Sequence, residues 1–98
     1  MSESPLYLVV TIYPRPEQLA EATAQLQQMA VNAMTEPGCD YQTLVVSDDE
    51  PGCLTMLEKF VSRAAWDEHM ETEHNKRGNE TLEPMLAKPS VLRLYTEA

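Results

Sequence analysis

Three side chains of this sequence are suited to move a proton near neutral pH: His69, His74 and Glu58. Glu58 stands in an apolar run, between Leu57 and Lys59-Phe60. A carboxyl group on a buried strand face has its charged form disfavoured, so its pKa rises and it can exchange protons near neutral pH. The plainer reading is a structural ion pair with Arg93 or Lys59. His69 shares a helix face with Ala65 and Thr72, and reads either as a pocket base or as a half-buried histidine with both nitrogens satisfied. His74 falls near the expected end of that helix, beside Lys76 and Arg77. It reads first as a surface or helix-dipole contact and only then as a pocket residue.

Metal and cofactor chemistry find less support. Helical metal-binding histidines sit four residues apart on one face. His69 and His74 sit five apart, about 140° around a regular helix. Together with Cys39 and Cys53 they spell the letters of a zinc finger, but the two cysteines are too far apart for one. The expectation is no metal. The sequence has no GxGxxG, no P-loop and no nucleophile elbow, so no tightly held cofactor is expected. An enzyme of this kind would work with side chains alone and take its electrons from the substrate.

The elements that must position these residues are readable from their periods. Residues 6–13, Leu-Tyr-Leu-Val-Val-Thr-Ile-Tyr, form a strand that is apolar on both faces. Pro14-Arg15-Pro16-Glu17 opens a helix. Its apolar stripe is Leu19, Ala22, Leu26, Met29 and Ala33, and Glu36-Pro37-Gly38 ends it. Residues 39–46 and 53–60 are strands of a hairpin joined by the polar turn 47–52. Pairing about the middle of that turn puts Cys39 near Phe60 and out of disulfide reach of Cys53. Ser62 caps a second helix carrying Ala65, Trp66, His69, Met70 and Glu73. Lys76-Arg77-Gly78 reads as its stop. Asn79 opens a short further helix with Leu82, Met85 and Leu86 on its apolar side, and Lys88-Pro89 closes it. Residues 91–95 are a last strand. The order β-α-β-β-α-β is that of a ferredoxin-like α+β sandwich with a four-stranded antiparallel sheet, a single domain over residues 1–98. Two helices cover one face of such a sheet. The apolar second face of the first strand therefore predicts a homodimer.

Charge narrows the partners. Sixteen acidic residues against seven basic ones leave a net charge of −9. The seven cations (Arg15, Lys59, Arg63, Lys76, Arg77, Lys88, Arg93) are scattered, which argues against nucleic acid and against anionic membrane surfaces. No apolar run approaches the roughly 20 residues of a membrane span. Met1-Ser2-Glu3-Ser4-Pro5 lacks the pattern of a signal peptide. The expected location is the cytoplasm, with both cysteines reduced.

The stretch from Leu57 to His74 resembles a family signature: strand, Glu58, one residue, the aromatic Phe60, a short link, Ala65, three residues, His69, two residues, Thr72, one residue, His74. Glu36-Pro37-Gly38-Cys39 resembles the Glu-x-Gly-Cys that precedes the second strand in the same family. These are features of antibiotic-biosynthesis-monooxygenase domains, and the pattern Glu58, His69, Thr72, His74 is most similar to the quinol monooxygenase branch. The resemblance implies a dimeric α/β barrel, two sheets packed face to face, each subunit keeping an apolar pocket between its sheet and helices. It also implies oxidation of a small quinol-like or polyphenol-like aromatic by molecular oxygen without a cofactor. Glu58 or His69 would be the base, with Met56, Phe60, Trp66, His74 and Leu86 around the substrate. Anthrone-oxidising members carry Asn and Trp where this chain has Met56 and Phe60. Haem-degrading members carry Trp on the second helix, where this chain has His69. The competing reading is a non-catalytic, ligand-binding or stress-response dimer of the same fold.

Overall fold

The computed structural model describes residues 4–98, so the first three residues of the leader reading lie outside it. β1 (Leu6–Pro14) runs to a single 3-10 turn at Pro16–Gln18, where two prolines fix the backbone angles of a helix start. α1 (Leu19–Ala33) then lays Ala22, Leu26, Ala30 and Ala33 on the sheet. Three of these four are alanines, which lets the helix sit close. β2 (Cys39–Val46) and β3 (Leu54–Phe60) form the expected hairpin, with Cys39 opposite Phe60 and both cysteines free thiols. α2 (Arg63–Met70) starts at Ser62, whose hydroxyl accepts the Ala65 N–H at 3.1 Å. α3 (Glu73–Leu82) and β4 (Leu86–Thr96) complete the chain. The strands order β2-β3-β1-β4, every pairing antiparallel. This is the ferredoxin-like α+β fold.

The second half of the chain departs from the sequence reading in three ways. The second helix does not run on through Glu73. It stops at Met70, and Thr72, with extended backbone (φ −69°, ψ 146°), restarts it as α3. The Thr72 hydroxyl donates to the His69 carbonyl at 2.8 Å and accepts the Asn75 N–H at 3.2 Å, so one side chain closes one helix and opens the next. Lys76-Arg77-Gly78 is no stop and Asn79 no cap, because all four lie inside α3. Gly78 sits where α3 crosses α1, and a Cβ there would come within 2.8 Å of Met29 Cγ. The glycine serves close approach, not termination. Finally, β4 begins at Leu86 and runs through Pro89. An edge strand tolerates proline, and the register slips there: Thr11 faces Val91 while Tyr13 faces Lys88.

Residues directly opposite in an antiparallel pair share a face. Leu8, Glu58, Gln42 and Leu94 therefore stand on the helix-covered side. Tyr7, Lys59, Tyr41 and Tyr95 stand on the open side. The covered side holds two apolar clusters. One gathers Ile12, Ala22, Leu26, Leu54, Met56 and Leu82, and the other Leu6, Leu8, Ala33, Cys39 and Phe60. The site lies between them.

Candidate active site

A cavity of about 150 Å³ opens between the sheet and the helices, drawing its lining from both clusters. The sheet contributes Leu8, Val10 and Met56, and α1 contributes Leu26 and Met29. Trp66, His69 and Met70 enter from α2, and His74, Asn75 and Asn79 from α3. The walls are mostly apolar, with a few convergent polar groups, the pattern of a small-ligand site.

Glu58 is buried on the sheet wall, and Gln42 Nε2 donates to its Oε1 at 3.1 Å. Neither cation of the plainer reading reaches it. Lys59 points to the open side and pairs with Asp40 at 3.5 Å, and Arg93 faces Val9 on that same side. Burial, and after it the negative charge of Glu36, pushes the Glu58 carboxyl up to about 7. A neutral amide is its hydrogen-bond partner, and among the described residues no cation pairs with it to offset the loss of water.

On the helix wall, Glu36 holds both histidines. His69 Nδ1 lies 2.9 Å and 3.0 Å from the two oxygens of Glu36, and His74 Nε2 lies 2.5 Å from Oε2. The link at Glu71-Thr72 makes this possible. A regular helix would carry positions 69 and 74 to different sides, but the break turns His74 back to its carboxylate. His74 is thus half-buried in the first turn of α3, held by Glu36, and does not stand beside a helix C-terminus. Two imidazoles and a carboxylate are a donor set that metal ions use, and the three donor atoms lie within 4.8 Å of one another. The angular argument against a metal pair therefore fails, since the two residues occupy different helices. The spacing is nevertheless that of hydrogen bonds. One carboxylate oxygen sits between the two nitrogens, whereas donors held at about 2.1 Å by an ion stand about 3 Å or more apart with the ion between them.

Of the residues expected at the site, Glu58, His69, Met56, Trp66 and His74 line the cavity. Phe60 does not. It is fully buried beneath the His69 ring, centroids 5.0 Å apart, because β3 carries it into the core past the cavity floor. Leu86, the first residue of β4, does not line it either, although Ser90 and Leu92 farther along that strand do. Leu86 borders an adjoining groove that shares Asn79, Leu82 and Ser90 with the cavity. Glu36, Gln42, Asn75, Asn79 and Ser90 are the polar residues of the site that sequence reasoning missed. Glu36 reads as part of a helix terminator, and the only hint of more is its place in the Glu-x-Gly-Cys motif. Nothing in the sequence singles out Asn75, yet it is buried, and the side-chain bond found for its amide runs to Met70 Sδ at 3.8 Å.

The sequence matches the family described as antibiotic biosynthesis monooxygenase over residues 5–81. The Mycobacterium tuberculosis protein Rv0793, provisionally named a monooxygenase, is 30% identical over 86 residues, covering 88% of this chain and 84% of its own. Its solved structure matches with a TM-score of 0.91 at 27% identity, covering 97% of this chain and 96% of that one. A Caulobacter crescentus structure, provisionally described as an antibiotic biosynthesis monooxygenase, matches with a TM-score of 0.92 at 25% identity over 98% and 92% of the two chains. An uncharacterized Synechocystis protein is 26% identical over 94 residues; the alignment takes in 96% of this chain but 64% of that relative's length.

Proposed function

The chain belongs to the antibiotic biosynthesis monooxygenase family, and from that membership we propose that it oxidises a single-ring quinol or polyphenol with molecular oxygen, using no cofactor. The observation that carries the reading is a carboxyl group poised near pH 7 inside an apolar cavity of one-ring size. An engineered apolar cavity of about the same volume takes up benzene. Glu58 accepts the proton of a ring hydroxyl, as a base works best when its pKa lies near the working pH. The resulting phenolate is electron-rich enough to reduce oxygen. The balance closes without an outside reductant: a hydroquinone and O2 give a hydroxyquinone and water. One oxygen atom enters a ring C–H bond, the other leaves as water, and the quinol supplies the remaining two electrons. His69 faces the same cavity as a second acceptor, while Met56 and Trp66 bound the ring. The working unit in this reading is a cytoplasmic homodimer built on the open sheet face, where Val9, Leu57, Tyr7 and Tyr41 cluster.

An oxygen electrode tests the chemistry. Wild type should consume oxygen faster than buffer with at least one member of a quinol panel, without added flavin, nicotinamide or metal. A Glu58→Gln, His69→Ala variant should fall to the autoxidation rate. Wild type no faster than buffer across the panel would leave the ligand-binding dimer as the better reading. Equal activity in both proteins would keep the enzyme and discard its base. Light scattering at micromolar concentration should return twice the chain mass, and a monomer mass would remove the dimer.

A further inference from the structure

We infer that Glu36 is a positioning residue that fixes which nitrogen of His69 carries the proton, leaving Nε2 as a bare acceptor toward the cavity. The inference rests on the oxygenase reading only for its catalytic consequence. The tautomer itself is a property of the free protein.

Three observations combine. First, both oxygens of Glu36 lie within 3.0 Å of His69 Nδ1. A carboxylate can only accept, so the hydrogen on a neutral imidazole must sit on Nδ1. Second, His69 Nε2 has no hydrogen-bond partner among the described residues, yet no buried side-chain nitrogen or oxygen there lies sealed from solvent without one. His69 lines the cavity, so Nε2 opens onto it. Third, Glu36 is absent from the cavity wall, so it reaches a substrate only through the histidine.

His74 makes the arrangement stiffer. Its Nε2–H donates to the same Oε2 that faces His69, and it reaches Glu36 from a different helix. Glu36 comes from the turn after α1, where Pro37 and the tight contact of Gly38 against Ala65 hold the backbone. Three segments thus meet at one carboxylate. When His69 Nε2 takes a proton from a ring hydroxyl, the O–H bond breaks and an N–H bond forms. The positive charge so created lies beside the Glu36 carboxylate. A carboxylate behind a histidine base sets its tautomer and stabilises its charged form in this way in hydrolytic triads.

Nitrogen-15 NMR of ring-labelled protein tests this at a pH where the histidines are neutral. Wild-type His69 should show its proton on Nδ1, with Nε2 at the shift of an unprotonated ring nitrogen. Glu36→Gln keeps the shape but offers an amide that can also donate, and should return His69 to a mixture or to the Nε2–H form. Glu36→Asp should recover part of the Nδ1–H population. With an active quinol, Glu36→Gln should lower kcat by roughly 10²- to 10⁴-fold, the range of general-base catalysis, with KM changed less than threefold. A wild-type His69 protonated on Nε2, or a tautomer unmoved by Glu36→Gln, overturns the inference. So does a Glu36→Gln effect confined to KM. An Nδ1–H tautomer lost in Glu36→Gln, in a protein inert toward every quinol, supports the inference and removes the oxygenase reading instead.

Discussion

Glu58 and Lys59 are adjacent in sequence and occupy opposite worlds. Glu58 faces the helices, has an amide and, among the described residues, no cation for its partner, and is pushed up to about 7. Lys59 faces the open side, pairs with Asp40 and lies 5.6 Å from the Tyr7 ring centroid. One step along a strand separates a carboxyl group turned to the helices from an ammonium turned to the open side. The lesson is that a strand sorts chemistry by parity. A carboxylate at an even position of β3 becomes a titratable base, and one at an odd position would face away from the cavity.

The largest expected effect comes from breaking that contrast. Glu58→Gln should reduce quinol-dependent oxygen uptake by roughly 10²- to 10⁴-fold, while Lys59→Gln leaves it unchanged; equal losses at both would show that the covered face has no special role. The rate of the wild type should also fall about tenfold per pH unit below 7, as the base becomes protonated. Next in size is the packing beneath the cavity. Phe60 is fully buried, so Phe60→Ala should cost about 3–5 kcal/mol in urea unfolding, and a loss under 1 kcal/mol would deny it a core role. A smaller effect follows from linkage. In the unfolded chain Glu58 loses its proton near 4.5, but in the fold near 7. Between those values the native state holds the extra proton, so its stability falls as pH rises. Above pH 7 the penalty is complete, on the order of 3 kcal/mol. Glu58→Gln should therefore flatten the stability profile between pH 4.5 and 7 and be the more stable protein at pH 8. A parallel profile would mean that Glu58 ionises normally. The smallest expected effect is that of a chelator. If Glu36, His69 and His74 hold one another by hydrogen bonds, EDTA should shift Tm by less than about 1 °C, whereas a structural ion would add several kcal/mol.

The same parity explains what the sequence disclosed. The alternation of β3 and the stripe of α1 are local signals, and the parity of β3 puts Glu58 on the same wall as Met56. The failures lie where a local signal had two meanings. Gly78 after Lys76-Arg77 reads as a helix end, but its cause is a helix crossing forty-nine positions away at Met29. Thr72 reads as a helix-face residue, and only its two backbone bonds reveal a junction. Glu36 reads as punctuation because its partners, His69 and His74, are remote in sequence. Leu86 reads as the end of a helix's apolar side closed by Lys88-Pro89, whereas β4 starts there and carries Pro89 at the sheet edge. The fold follows from short-range periods, whereas the carboxylate at the centre of the site depends on contacts that no period encodes.

Gly78 has one further consequence. It stands behind Met29, and Met29 forms part of the cavity wall. Anything larger than hydrogen at position 78 must displace that thioether, whose flexible chain yields forward more easily than the helix yields back. The size of molecule the cavity admits is thus set partly from its far side, by a residue no ligand meets. Gly78→Ala would act like a thicker lining sewn in from outside: it would shrink the chamber while leaving every polar group of the site in place, so discrimination between bare and substituted rings could be retuned independently of the proton chemistry.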